Sequence, residues 1–140
     1  MINSFINNRS GIIKAAVEEA NKSTYKQRMG AVIFNHKRII SRGYNKTLSW
    51  ANHHHPKFRR FPTSIHAEIT SILNARTDLN GFDIVVIRIN RSGEFRYALP
   101  CQYCLSYMSF CKIRYCYYST SEEPYFDVMR IPHYEILNAV

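Results

Sequence analysis

The pattern Pro100-Cys101-Gln102-Tyr103-Cys104 constrains the fold of this chain more than any other sequence feature. A sequence of this composition would contain roughly 0.004 copies of P-C-x-x-C by chance. Proline suits the first turn of a helix, so we predict a helix from Pro100 to about Lys112. Cys101 and Cys104 share one face of that helix, where backbone N–H groups and the helix dipole favour thiolates. The start of this helix is therefore a predicted metal or catalytic site.

A second motif, His66-Ala67-Glu68, opens another predicted helix. We expect Thr63 or Ser64 to cap this helix, which runs to about Asp78 and is closed by Asn80-Gly81. With six His and seven Glu in the chain, roughly 0.3 H-x-E matches arise by chance, so the motif alone is weak. Because both motifs lie at predicted helix N-termini, a shared site is the better interpretation.

His66, Cys101 and Cys104 together form a predicted zinc site. Two thiolates and one imidazole leave a tetrahedral zinc one open position for water, which is the pattern of a catalytic site rather than a structural one. Glu68 is two residues from His66, so their side chains converge only if the metal lies beyond the end of the helix. Glu68 would then act on the water, whereas the alternative is a capping His followed by a first-turn acid. Cys111 is a predicted core residue.

The remaining pattern predicts one domain over residues 1–140, with an α/β fold of three layers, α/β/α. Besides the two helices above, we expect a helix capped by Ser10, strands at 29–34, 38–44, 82–89, 113–118 and 126–131, and a short helical turn after Pro132. The five strands form a mixed sheet. Only residues 119–125 separate the last two strands, which is too short for a parallel crossover, so the last strand should be antiparallel.

Positive charge is concentrated in residues 20–67, which we call the basic segment. The chain has 19 Lys and Arg against 10 Asp and Glu, and ten of the basic residues lie in this segment. No acidic residue occurs between Glu19 and Glu68. A field of this sign attracts phosphate groups, on a nucleotide or on a polynucleotide. The alternative is a solvated face that keeps the protein soluble.

The two motifs resemble the zinc-dependent cytidine and deoxycytidylate deaminase superfamily, whose signature combines H-x-E with P-C-x-x-C. The likeness extends from about Met29 to Ser119 and includes the pattern of strands. Gly43-Tyr44-Asn45 is similar to the Gly-Tyr-Asn element of deoxycytidylate deaminases. The resemblance implies a cytidine-deaminase-like fold, a bound Zn²⁺ ion and a homo-oligomer.

The reaction that the resemblance implies is hydrolytic deamination. Glu68 would be the catalytic residue: it would take a proton from the attacking water, pass it to the ring nitrogen of the base, and help to protonate the departing ammonia. Asn45 would contact the sugar of the substrate, and the backbone N–H of Ala67 would contact the base. The metal ligands would be His66, Cys101 and Cys104.

Three functions remain open. The first, which we favour, is deamination of cytosine in a free nucleotide or nucleoside, with deoxycytidylate preferred because of Gly43-Tyr44-Asn45. The second is deamination of cytosine or adenine in single-stranded DNA, RNA or tRNA, with the basic segment as the groove and Trp50, Phe58 and Phe61 as stacking platforms. The third is a catalytically silent, zinc-containing nucleic-acid-binding module, and the presence of Glu68 argues against it.

Location and further metal sites are also predicted from the sequence. The N-terminus lacks the apolar stretch of a secretory signal, and no apolar run reaches the roughly 18–20 residues that span a bilayer. We therefore expect a cytoplasmic protein with reduced cysteines and no membrane contact. His53, His54 and His55 are candidates for a second metal site, although adjacent loop residues rarely bind one ion together.

Overall fold

The described part of the chain, residues 1–47 and 64–132 of this computed structural model, contains four helices and eight strands. In chain order they are α1 Ile2–Asn8, α2 Ser10–Ala20, β1 Arg28–Asn35, β2 Arg38–Tyr44, β3 Lys46–Thr47, β4 Ser64–Ile65, α3 Ala67–Ala75, β5 Asp83–Ile89, β6 Phe95–Arg96, α4 Gln102–Phe110, β7 Tyr115–Ser119 and β8 Phe126–Arg130. The predicted succession of three helices and five strands is confirmed, and α1 and three two-residue strands are added to it.

The central sheet has the strand order β2-β1-β5-β7-β8, with β6 paired to the end of β5. β1 is antiparallel to β2 and to β5, whereas β5 and β7 are parallel. β8 is antiparallel to β7, so the predicted mixed sheet with an antiparallel last strand is confirmed. Because β5 and β7 are parallel, the chain crosses over between them, and α4 lies in that crossover beyond the carboxyl end of β5.

Helices cover both faces of this sheet. Val32 and Phe34 of β1 belong to a buried cluster with residues of α1 and α2, whereas Ala31 and Ile33 belong to a second cluster with residues of α3 and α4. This division follows from the alternation of side chains along a strand. Since both faces are buried, β5 is apolar at nearly every position, which is why its strand could be recognised in the sequence.

The N-terminal region differs from the prediction. Ser10 lies inside α2, whose N-cap is Arg9, and the preceding helix α1 was not predicted. The sequence of α1 contains three Asn, which are weak helix formers. Tertiary packing compensates, because the Phe5 ring stacks on Tyr117 with centroids 3.9 Å apart and the two rings nearly parallel.

The start of α3 is also later than predicted. Ser64 belongs to β4, which pairs with β3, so it cannot cap the helix; Thr63 lies outside the described residues, and the N-cap is His66. The helix ends at Ala75 because Arg76 adopts a left-handed conformation, with φ 53°, several residues before the predicted stop.

The predicted turn after Pro132 lies outside the described residues. None of the helices within the described ranges combines the length and hydropathy needed to cross a bilayer.

Candidate zinc and catalytic site

The N-termini of α3 and α4 meet at the edge of the sheet where β5 ends. His66 is the N-cap of α3 and Cys101 is the N-cap of α4, and both have extended backbone conformations. The Cys101 sulfur accepts a hydrogen bond from the backbone N–H of Cys104, at 3.5 Å. The first turns of both helices direct N–H groups toward this point, so the local field favours anionic ligands. Residues 35 positions apart in the chain are thus joined at one site.

The three predicted ligand atoms lie within 4.8 Å of one another. Nδ1 of His66 is 3.4 Å from the sulfur of Cys104 and 3.9 Å from the sulfur of Cys101. In a tetrahedral zinc site the metal–ligand bond lengths place nitrogen and sulfur ligands about 3.6 Å apart. One zinc ion can therefore contact all three atoms.

The two cysteines differ in their acid–base behaviour. A hydrogen bond from the Cys104 thiol lowers the pKa of Cys101 to about 4, and the backbone N–H of Cys104 acts in the same direction. The same contact and burial raise the pKa of Cys104 well above its usual value. The Cys101 thiol therefore ionises more readily than the Cys104 thiol, and metal binding favours the thiolate form of both. The hydrogen bond to Cys101 also raises the pKa of His66.

Glu68 lies in the first turn of α3 and is 1% exposed. Burial raises its pKa, and its carboxyl group interacts with His66 and with the Cys104 thiol. Its Oε1 atom has no hydrogen-bond partner among the described residues. A buried carboxyl oxygen without a hydrogen-bond partner lowers the stability of the fold. The burial of Glu68 is therefore better explained by a function at this site than by a contribution to stability. Two sulfurs, one imidazole nitrogen and this orphaned oxygen fit a catalytic zinc ion.

The family model described as "Cytidine and deoxycytidylate deaminase zinc-binding region" matches residues 6–120. The chain belongs to this family. It is accordingly a zinc-dependent hydrolase of the deaminase type, and the zinc predicted from the sequence is confirmed as the metal of its family. No curated protein sequence matches this deaminase.

Several solved structures share the fold of this deaminase. The cytidine deaminase from Burkholderia pseudomallei has a TM-score of 0.61 and 19% identity, over 87% of this chain and 91% of that one. The dCMP deaminase from the cyanophage S-TIM5 has a TM-score of 0.59 and 18% identity, over 81% and 83% of the two chains. A structure from a study of A-to-I editing by tRNA:A34 deaminases has a TM-score of 0.52 and 23% identity, over 82% and 78%. These likenesses confirm the predicted fold.

A cavity of about 500 Å³ lies beside His66. The residues that line it are Tyr25, Lys26, Gln27, Met29, Asn45, Ile65 and His66. Its volume is in the range of pockets that hold small molecules, which is roughly 300–1,000 Å³. The Lys26 ammonium adds a positive charge to its wall. A space of small-molecule size thus lies directly beside His66, one of the three predicted metal ligands.

The Asn45 side chain stabilises one wall of this cavity through two hydrogen bonds. Its Oδ1 accepts a hydrogen bond from the backbone N–H of Met29, at 2.9 Å, and its Nδ2 donates to the carbonyl of Gln27, at 2.8 Å. One N–H and one lone pair of the carboxamide remain, so a sugar contact through Asn45 is still chemically possible. Ala67 is fully buried as the first residue of α3, where a backbone N–H has no partner within the helix. Sequence reasoning missed Tyr25, Lys26 and Gln27, because only the fold brings this segment before β1 to the wall of the cavity.

The basic segment is partly neutralised in the structure. Lys22 pairs with the buried Glu19 at 2.7 Å, and Arg42 is 3.6 Å from Glu18. Both acids precede the segment in sequence.

The aromatic residues proposed as stacking platforms and the candidate second metal site lie outside the described residues; they are Trp50, His53, His54, His55, Phe58 and Phe61. Cys111 packs against the core beneath α3 and α4, which confirms its predicted place.

Proposed function

We propose that this deaminase converts cytosine to uracil in a free nucleotide, with a substrate of the deoxycytidylate type. The observation that carries the proposal is the cavity beside His66, whose volume of about 500 Å³ suits one nucleotide rather than a strand. Lys26 on its wall is placed to attract one phosphate group, and Asn45 offers its remaining hydrogen-bonding capacity to a sugar.

In the proposed reaction, His66, Cys101 and Cys104 hold the zinc, which makes water nucleophilic near neutral pH when it is bound. Glu68 takes a proton from the attacking water and passes it to the ring nitrogen of the base. Its burial suits this role, because a raised pKa lets the carboxyl group hold the proton between the two transfers. The oxygen of water bonds to C4. Glu68 then takes the second proton from the hydroxyl group now on C4 and gives it to the exocyclic nitrogen, so the bond from C4 to that nitrogen breaks, ammonia leaves and C4 keeps a carbonyl oxygen.

A panel of substrates tests this proposal. Ammonia release would be measured from cytidine, dCMP, dCTP, adenosine, and cytosine in single-stranded DNA and RNA. We expect dCMP to give the highest kcat/KM. Lys26→Gln should raise the KM for dCMP about tenfold and leave cytidine unaffected, since one charge-assisted phosphate contact is lost. Lys37→Gln, in the turn between β1 and β2, is the matched control. Highest activity on a strand, or on adenosine, would refute the proposal.

The net charge of +9 favours a second candidate, deamination within a single strand. The dependence of substrate binding on salt concentration distinguishes the two candidate functions. Binding through Z phosphates of a single strand makes log K fall with log salt at roughly −0.7Z, so a mononucleotide gives a slope no steeper than about −2. A slope steeper than about −4 for a strand that is also turned over would favour the second candidate. The third candidate is a catalytically silent nucleic-acid-binding module. Such a protein would have no reason to bury the Glu68 carboxyl group with one oxygen lacking a hydrogen-bond partner.

We also infer that residues 1–140 form one domain of this family, because the matched region 6–120 spans most of the chain. Tyr97, Leu99 and Tyr125 expose 54%, 39% and 40% of their surface, which supports assembly into a homo-oligomer. Light scattering on the purified protein checks the assembly, and a mass equal to one chain would contradict it.

A further inference from the structure

A second cavity lies at the opposite end of β1 from the zinc site. Its volume is about 160 Å³. Phe34 lines this cavity, whereas Met29 lines the cavity beside His66. Phe34 is five positions after Met29 in the same strand, which corresponds to about 17 Å. The second cavity is therefore separate from the proposed substrate site, and the reaction described above does not use it.

Charged and polar side chains from four parts of the chain converge on this cavity. Arg9 comes from the junction of α1 and α2, His36 from the turn after β1, and Arg114 from the segment before β7. Asp83 at the start of β5 and Tyr117 of β7 form part of its wall. These residues are far apart in sequence, so the fold alone brings them together.

The carboxylate that lines this cavity, Asp83, already has hydrogen-bond partners. Arg114 donates from Nε and Nη2 to the two oxygens of Asp83, at 3.1 and 2.8 Å, and the backbone N–H of Tyr115 donates to the same group at 3.2 Å. Asp83 is 5% exposed, so this pair is a fixed part of the wall. The charge of Asp83 is balanced by Arg114 and does not neutralise a second cation.

Arg9 is that second cation. Its Nε atom is buried without a hydrogen-bond partner, and among the described residues its guanidinium donates only to the carbonyl of Asn8, at 3.3 Å. No carboxylate of the described ranges forms an ion pair with it. A buried, charged donor without an acceptor is costly, so an oxygen ligand at this position would be stabilised.

We propose that this cavity binds a phosphate-sized oxyanion. The excess charge is positive, which disfavours a cation, and the unpartnered guanidinium donor disfavours an apolar ligand. The volume is below the roughly 300 Å³ of pockets that enclose whole small molecules, so a phosphate group fits and a nucleoside does not. The Tyr117 hydroxyl and the His36 imidazole can add hydrogen bonds to the same anion.

Inorganic phosphate titrated into the zinc-loaded protein at constant ionic strength tests the proposal. We expect saturable binding by calorimetry and a rise in Tm with phosphate concentration. Arg9→Gln should raise the Kd about tenfold or more, because a charge-assisted donor is lost. Arg91→Gln, at an exposed turn, should leave the Kd unchanged. Lys26→Gln should also leave it unchanged, which separates this cavity from the substrate cavity.

A second variant keeps the test decisive if Arg9→Gln does not fold. His36 has φ 57°, a conformation that Asn tolerates, so His36→Asn removes the imidazole with little strain and should weaken phosphate binding severalfold. Glycerol phosphate in parallel shows whether the anion is taken free or as part of a larger molecule. Equal phosphate affinity in wild type and in both variants, loss of binding in Lys26→Gln, or no saturable binding to the wild type would overturn the proposal.

Discussion

Replacing Gly43 with Ala tests how the packing of α3 on β2 sets the geometry of the zinc site. A Cβ at Gly43 would lie 2.8 Å from the carbonyl carbon of Thr70 and closer still to the backbone nitrogen of Ser71, whereas ordinary contact begins at 3.4 Å. The obstacle is helix backbone, which no change of rotamer can remove. The added methyl group should therefore move α3 away from β2 by roughly 1 Å.

The size of the effect follows from this displacement. Overpacking by one methyl group costs about 1–3 kcal/mol, and rigid backbone neighbours place Gly43→Ala near 3 kcal/mol. His66 and Glu68 are carried by α3, whereas Cys101 and Cys104 are carried by α4, so the shift separates the ligands from one another. A displacement of about 1 Å at a reacting centre lowers turnover by roughly 10²-fold.

Two other glycines provide matched controls. A Cβ at Gly30 would meet the backbone of α2 at Ala16 and Ala20, on the face of the sheet opposite α3, so Gly30→Ala should lose similar stability and keep zinc and turnover. A Cβ at Gly11 would meet no atom within 4 Å, so Gly11→Ala in α2 should be neutral or stabilising by up to about 1 kcal/mol.

The measurements are urea denaturation, zinc content and ammonia release for each of the three variants. Wild-type stability in Gly43→Ala would show that the close packing is not obligatory. Equal loss of zinc in Gly30→Ala and Gly43→Ala would show that general destabilisation, rather than the position of α3, controls the site.

Three further predictions concern single side chains. Cys101→Ser should lower the zinc content from about one per chain to near zero and abolish ammonia release, and full zinc content would contradict the ligand assignment. Glu68→Gln should retain zinc and lower turnover roughly 10²–10⁴-fold, and near-normal turnover would mean that another group moves the proton. Asp83→Asn breaks the paired hydrogen bonds with Arg114 and should lower the free energy of unfolding in urea by about 1–2 kcal/mol, after allowance for the exposed arginine. Asp78→Asn is its control, because an Asn can still accept the hydrogen bond in that turn, and an equal loss in both variants would contradict the role of the pair.

The convergence of the site residues could be predicted because metal ligation uses few residue types at fixed spacing, while the role of each residue stays a prediction. Cys101 and Cys104 have to lie on one helix turn, and Glu68 has to follow His66 at a helix start for both side chains to reach one point. The structure places all four at the two helix N-termini. The buried strand β5 was equally clear, since covering both faces leaves a continuous apolar run.

Helix ends were harder to predict because tertiary contacts decide them. Ser64 is a better intrinsic cap than His66, yet Ser64 pairs in β4 and His66 takes the N-cap without a side-chain capping bond. Its imidazole lies against the two cysteine sulfurs instead. A predicted metal ligand thus occupies the N-cap position that intrinsic preference assigns to another residue, which is expected where function and local preference compete.

The distribution of charge in the fold could not be predicted from the sequence either. A stretch without acidic residues between Glu19 and Glu68 indicates an uncompensated positive field, but charges interact through space and not along the chain. α2 lies beside β1 and β2, so Glu18 comes within reach of Arg42, whereas Lys22 pairs with Glu19 three residues earlier in the chain. Arg9, outside the basic segment, is in contrast a cation without an ion pair in the described residues. The two proposed anion sites therefore follow from which cations the described part of the fold leaves without an ion pair, Lys26 beside His66 and Arg9 at the far end of β1, rather than from where the basic residues are most numerous.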